Sequence, residues 1–304
     1  MLTGVHILLT YTCSYECDHC FLHCGPDASG TFTLRQLKTL FAEIGKIGTV
    51  GDIYFEGGEA FLYFPLMVEG IRIARGMGLD VGIVTNGYWA TGIEDAKLWL
   101  DPLRRLGIAD FSVSNDKFHH SSDQPNPAEA AHAAAVELGM AAETIRIEEP
   151  TVQVDPCGSG DKGAPVIGGN VKLRGRAAEK LTEGLPRKAW DQLTSCPYED
   201  LEDPGRVHVD SFGNVHICQG LSMGNMWETP FSDMVRSYSA QAHPICRPLV
   251  KGGPAALARE YGVQHDDAYV DECHFCYTLR KTLADRFPQH LTPRQVYGLK
   301  DSAG

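Results

Sequence analysis

"TYTCSYECDHCFLHC", residues 10–24, places four of the chain's ten cysteines in one short stretch. It follows "GVHILLT" (4–10), an apolar, β-branched run suited to a buried strand. Cys13, Cys17 and Cys20 have the spacing CxxxCxxC. Thiolates this close together hold iron–sulfur clusters, normally four to a cluster. Three thiolates leave one iron of a cubane without a protein ligand, where a small molecule can coordinate. Two alternatives stay open: a zinc knot completed by Cys24, and cysteines incidental to a loop. Zinc sites more often join CxxC pairs from two separated places.

Outward from this loop, strand and helix patterns alternate. Leu34, Leu37, Phe41 and Ile44 share one face of a helix over 33–48, and Thr33 with Gln36 has capping-box spacing. Strands follow at 52–58 ("DIYFEGG"), 80–87 ("DVGIVTNG") and 109–116 ("ADFSVSND"), with a helix near 64–76. Thr91 and Glu94 give a second capping box before a helix to 106, and Asn126-Pro127 opens a helix over 126–139. "ETIRIEEP" (143–150) and "NVKLRG" (from 170) complete six predicted strands. This rhythm predicts a parallel sheet with helices packed outside it. Residues 155–169 are Gly- and Pro-rich and predict a long loop. After 184 the pattern changes to a hairpin at 206–218 ("RVHVDSFGNVHIC") and helices near 231–239, 252–261 and 272–287. We therefore expect two units, 1–184 and 185–304.

Composition narrows the function. With 43% hydrophobic and 22% charged residues the chain is globular rather than disordered. Its net charge of −12 repels phosphate backbones, and the densest basic stretches, Lys172 to Arg176 and Arg280 to Arg286, are short and interrupted. Nucleic acid is thus not an expected partner. "MLTGVHILLT" lacks the charged start of a signal peptide, and no apolar run approaches the roughly 20 residues of a membrane span. We expect a cytoplasmic chain, in which ten cysteines serve as metal ligands or redox groups rather than disulfides.

The loop CxxxCxxC after the first strand, "EGGEAF" after the second and "VTNG" after the third together resemble the radical S-adenosylmethionine (SAM) superfamily, over residues 4 to 182. The resemblance implies an α/β fold, a partial (β/α)6 TIM-like barrel, with its site at the C-terminal ends of the strands. It assigns Cys13, Cys17 and Cys20 to a catalytic 4Fe-4S cluster, and Gly57, Gly58 and Glu59 to the methionyl amine of SAM. Glycines let a backbone approach a ligand closely, and a carboxylate accepts from an ammonium. Thr85 and Asn86, Ser114 and Asp116 fall where the superfamily places groups near the ribose, and Arg176 in "GRA" (175–177) at the end of the last barrel strand. Each of these is also an ordinary strand-end cap. His19 departs from the pattern, since an aromatic ring is common before the third cysteine.

Cys196, Cys218, Cys273 and Cys276 form a second set, with Cys218 after a hairpin turn and the last two as CxxC at a helix start. Spacing alone leaves structural zinc and a cluster equally open. "GNVHIC" and "CHFC" resemble the Twitch/SPASM extension of radical SAM enzymes. This resemblance implies a small α+β domain with auxiliary 4Fe-4S clusters. No cysteine follows Cys276, which points to the one-cluster Twitch form. Such a fully ligated cluster suits electron transfer from a substrate radical rather than substrate binding. Cys24, Cys157 and Cys246 stay unassigned, although Cys246 is able to replace one late ligand. His119 and His120 form a solvated loop pair in this reading, with proton transfer as the alternative.

The function implied is reductive cleavage of SAM to a 5′-deoxyadenosyl radical, which abstracts hydrogen from a substrate. The primary expectation is an oxidoreductase that dehydrogenates a small molecule, served by a low-potential donor such as flavodoxin or ferredoxin. A maturase of ribosomally made peptides is the second reading. Such enzymes often carry an N-terminal peptide-binding domain, and this chain opens directly on its first strand. A non-catalytic iron–sulfur sensor is the third, opposed by "EGGEAF" and "VTNG", because a sensor needs no cosubstrate site.

Overall fold

The computed structural model describes residues 1–120, 125–154 and 165–300. Its first half repeats strand and helix: β1 (Gly4–Leu8), α1 (Leu34–Ile47), β2 (Asp52–Glu56), α2 (Phe64–Gly76), β3 (Asp80–Thr85), α3 (Ile93–Leu106), β4 (Asp110–Ser114), α4 (Pro127–Glu137) and β5 (Ala142–Ile145). The side-chain alternation of the strands separates two surfaces. Val5, Ile7, Ile53, Phe55, Val81, Ile83, Phe111 and Val113 face the helices and are fully buried there. Leu37, Leu40 and Phe41 of α1, Met67 and Ile71 of α2 and the alanines of α4 meet them. Each large apolar side chain withdrawn from water contributes about 1.5–3 kcal/mol. The opposite surface carries His6, Tyr54, Glu56, Ser112 and Ser114, a polar lining unusual for a packed interior.

Capping follows the sequence at two helix starts and departs from it at a third. Thr33 and Gln36 form both bonds of the capping box, and Asn126 caps α4 with Pro127 in its first turn. At α3 the N-cap is Gly92, and Thr91 instead donates to the Asp95 carboxylate at 2.8 Å.

Beyond β5, a separate antiparallel hairpin joins β6 (Thr151–Val154) to β7 (Pro165–Gly168). The expected long loop is therefore part strand, and its residues 155–164 lie outside those described. The sixth strand predicted from 170 does not form. Leu173 instead packs against Ala177 of the short helix α5 (Arg176–Lys180) and Val270. β8 (Lys188–Ala189) later pairs with β12 (Ala268–Tyr269).

The predicted hairpin is present as β9 (Arg206–Asp210) and β10 (Asn214–Cys218), followed by β11 (Leu221–Asn225). β9 also pairs in parallel with β1, setting His208 beside His6. The main sheet thus runs β11-β10-β9-β1-β2-β3-β4-β5 and stays open among the described residues. Its six parallel strands include one supplied from residues 206–210, on the edge opposite to that expected. Three helices follow: α6 (Phe231–Ser237), α7 (Cys246–Tyr261), broken at Gly252–Gly253, and α8 (Glu272–Leu283). α6 packs on the first core through Phe231 and Met234, whereas α7 and α8 enclose a second core around Leu193, Ile217, Ile245, Leu257, Phe275 and Leu279.

Candidate active site

The turns after β1, β2, β3 and β4 all emerge at one edge of the sheet, the C-terminal edge where parallel α/β folds bind ligands. The cysteine loop is tied down there by backbone. Gly57 (φ 94°) and Gly58 run against its start, and a Cβ on Gly58 would collide with the carbonyl oxygen of Thr12. Glu59 N–H then donates to that carbonyl at 2.9 Å. From the far side, Gly175 (φ 61°) lies so near the loop that a Cβ would approach the Cys20 oxygen to 2.6 Å. Arg176 donates its backbone N–H to Cys20 O at 2.9 Å, Nε to Cys17 O at 2.8 Å and Nη2 to Cys24 O at 2.6 Å. These glycines serve close packing of backbone on backbone, and Arg176 clamps the loop.

Cys13, Cys17 and Cys20 line one cavity of about 350 Å³, together with Gly57, Gly58, Thr85, Asn86, Ser114, Asp116 and Arg176. Of the barrel residues assigned from the sequence to the cluster or to SAM, all but Glu59 are there; His119 lines it as well, and His120 does not. The Glu59 side chain is fully buried and occupied: Oε1 accepts from Phe61 N–H (3.0 Å) and the Thr85 hydroxyl (2.8 Å), and Oε2 from Asn86 N–H (2.8 Å). Burial outweighs these donors and raises its pKa to about 7. Its carboxylate thus joins the glycine turn to the end of β3.

The thiols differ electrostatically. Burial pushes Cys13 up to about 11 and Cys17 up to about 12. Cys20 is lowered to about 6, chiefly by a hydrogen bond from the Cys24 thiol and further by Arg176. Asn86 Nδ2 points at Cys13 Sγ from 3.6 Å and donates to Ser14 Oγ at 3.1 Å. Three thiols lining one cavity, one already favouring its thiolate beside a guanidinium, fit the thiolate ligation of an iron–sulfur cluster.

Asp116 holds the next loop. It accepts from Phe118 N–H (3.1 Å) and Ile147 N–H (3.3 Å), and lies 2.8 Å from His119 Nδ1. Burial works against its charge, but the His119 hydrogen bond prevails and keeps its pKa below the usual value. His119 and His120 are not a solvated pair: both are part-buried, and His120 Nε2 sits 3.2 Å from Ser114 O. His19 stacks on Phe118 with centroids 4.6 Å apart, so the imidazole fills an aromatic position. Burial lowers its pKa to about 4, leaving it neutral.

Sequence reasoning missed the floor of this cavity. His6, Glu56 and His208 project into it from adjacent strands, with Gln219 beside them. His6 Nδ1 contacts Glu56 Oε1, and His208 Nε2 lies 3.5 Å from the same oxygen. Burial lowers His208 to about 3. Their signal was a polar side chain set among apolar ones: His6 between Val5 and Ile7, Glu56 after Phe55, and His208 between Val207 and Val209.

The late cysteines Cys196, Cys218, Cys273 and Cys276 also converge, lining a second, smaller cavity with Arg174 and Arg280. Cys246 is not in that lining; it is fully buried nearby, where burial raises it to about 12 despite a hydrogen bond from Tyr238. Arg174 Nη1 donates to Cys218 Sγ at 2.9 Å, and its guanidinium lies 5.3 Å from the Phe21 ring centre. Arg174 also lines the first cavity, so one buried side chain separates the two.

A mostly parallel open sheet with a three-cysteine loop at its C-terminal edge has the layout of a cluster-binding α/β fold. Residues 7–140 match the model of the radical SAM superfamily, so this part of the chain resembles a radical SAM domain. A match to this superfamily implies a 4Fe-4S cluster and SAM. The Bacillus subtilis (strain 168) protein YydG, whose name assigns it to peptide biosynthesis, is 25% identical over 264 residues, covering 84% of this chain and 73% of YydG. The crystal structure of BtrN in complex with AdoMet and 2-DOIA superposes with a TM-score of 0.53 at 16% identity, covering 86% of this chain and 90% of BtrN. That likeness is one of fold. No helix among the described residues is long and apolar enough to cross a membrane.

Proposed function

We propose that this protein is a radical SAM oxidoreductase that removes a hydrogen atom from a peptide substrate held over the polar floor of its cavity. The observation that carries the radical chemistry is the shared cavity of Cys13, Cys17 and Cys20 with Gly57, Gly58, Thr85, Asn86, Ser114, Asp116 and Arg176. In this reading Cys13, Cys17 and Cys20 hold the cluster. When bound, the cluster and SAM supply one-electron chemistry able to take hydrogen from an unactivated carbon. The chain supplies position. Arg176 and the glycine turn fix the cysteine loop, while Asn86 and Asp116 present polar atoms to the cosubstrate. Glu59 acts through Thr85 and Asn86 rather than by touching the ligand. The electron comes from a low-potential donor such as flavodoxin or ferredoxin.

The peptide reading is supported by the likeness to YydG, which extends over most of both chains. Dehydrogenation of a small molecule is the second reading, favoured by the compact cavity of about 350 Å³. In the C-terminal unit, 185–304, Cys196, Cys218, Cys273 and Cys276 hold an auxiliary 4Fe-4S cluster of Twitch type. The two arginines in that lining suit a dianionic centre. Structural zinc is the second reading, since four thiolates from separated segments also close a tetrahedral site.

The test is 5′-deoxyadenosine formation by the anaerobically reconstituted protein with SAM and dithionite, against Cys17→Ala. Product from the native chain alone establishes radical initiation, and stimulation by added peptide selects the peptide reading. A cluster-loaded protein that neither binds SAM nor forms product overturns the proposal.

A further inference from the structure

We propose that His6, Glu56 and His208 form a binding site for a divalent first-row transition ion on the floor of the cavity, separate from both cysteine sets. The three residues stand on adjacent parallel strands β1, β2 and β9, all on the inward surface. His6 and His208 are direct register partners, and Glu56 pairs with Leu8, two residues along β1 from His6. One ligand atom from each lies within 4.8 Å of the other two. Two imidazole nitrogens and one carboxylate oxygen, gathered on one side, are the donor set of a facial triad, which leaves further coordination positions open. Here those positions face the cavity.

The surroundings favour a ligand over a self-contained hydrogen-bonded cluster. His208 is 5% exposed and Gln219 4% exposed, and Gln219 Oε1, in the lining of the same cavity, has no hydrogen-bond partner among the described residues. Gln219 Nε2 approaches His208 Nε2 at 3.4 Å. A buried polar atom without a partner is costly, so the Gln219 oxygen beside the two histidines calls for an occupant of this polar floor. The framework is also stiff: the His6 ring stacks on Tyr54 with centroids 4.8 Å apart and planes 19° apart, which orients the imidazole as supporting residues do around metals. Leu, Val or Phe at these inward positions would pack at no desolvation cost. The ion would act as a Lewis acid, holding a substrate oxygen against the floor while the cysteine loop lies at the mouth. That role rests on the function proposed above; ion binding itself does not.

The experiment adds zinc chloride to the reconstituted holoprotein in metal-free buffer, measures uptake by calorimetry and mass spectrometry, and records zinc-edge X-ray absorption. One zinc per chain with only nitrogen and oxygen neighbours, at about 2.0–2.1 Å, is the expected result. Glu56→Gln and His208→Gln should each weaken uptake by more than about tenfold while keeping the cluster iron. Sulfur neighbours at about 2.3 Å would instead place zinc at the cysteines and overturn the proposal. So would the absence of stoichiometric uptake, or uptake unchanged in both variants. Because SAM cleavage is not the readout, failure here and failure of the radical reading are separate results.

Discussion

Arg176 and Cys17 are 159 positions apart, yet Arg176 Nε donates to the Cys17 carbonyl at 2.8 Å, while its Nη2 reaches Cys24 O. A planar guanidinium thereby spans the loop from Cys17 to Cys24, and the backbone N–H of the same residue holds Cys20 O between them. Arg176→Met leaves two buried carbonyls unpaired, at about 1–3 kcal/mol each. Lysine, a single point donor, restores one of them at most. We expect Arg176→Met to lower apoprotein stability by about 2–4 kcal/mol and to lose iron on desalting, with Arg176→Lys intermediate. Urea titration and iron assay check this; native-level iron in Arg176→Met would refute the clamp.

Gly58 tests the other side of the loop. A methyl group there meets the Thr12 and Thr10 carbonyls, and neither backbone can yield without moving the cysteines. Gly51, a few residues earlier, has nothing within 4 Å of an added Cβ. Gly58→Ala is therefore expected to cost more than about 3 kcal/mol, and Gly51→Ala to change stability by less than about 1 kcal/mol. Equal melting temperatures for the two variants would contradict this packing.

The cysteine loop, the glycine turn and the strand-end polar pairs were legible because each is a local pattern whose spacing carries its chemistry. "NVKLRG" shows where local pattern runs out. Alternating Val171 and Leu173 fit an edge strand, but Leu173 gains more by burial against Ala177 and Val270 than by pairing with the exposed β5. "RVHVDSFGNVHIC" was readable as a hairpin, whereas its docking on β1 is a contact between segments some 200 positions apart, which periodicity does not encode. The same gap hid the cavity floor, since His6, Glu56 and His208 become neighbours only once β9 is in place. Arg174 escaped notice for the same reason.

The buried Glu59 carboxyl gives a pH signature. Its pKa rises from an ordinary 4.5 to about 7 because burial penalises the charge. The unfolded chain thus releases this proton first. Stability from the group is full below about pH 4.5 and is lost as pH rises through about 7. Relative to Glu59→Gln, the native apoprotein should lose about 2–3 kcal/mol between about pH 5 and about pH 8. Urea unfolding of both proteins across this window is the measurement. A difference that does not change with pH would mean that Glu59 is ionised throughout.

The late cysteines decide what the second cavity holds. Cys218 accepts from buried Arg174, and Cys273 and Cys276 open α8, so three of the four thiols sit on regular elements with little room to relax. A cluster and a zinc ion both carry net negative charge on four thiolates, and the two arginines suit either one. Their metal content differs. If the proposed cluster is present, Cys273→Ala/Cys276→Ala should hold about four irons per chain against about eight in the native protein. It should still form the SAM-binding cluster, whose ligands lie on the other side of Arg174. If both proteins hold about four irons and the variant alone loses a sulfur-bound zinc, the second centre is structural zinc. Electron transfer through it would then be excluded, because zinc has no accessible redox change.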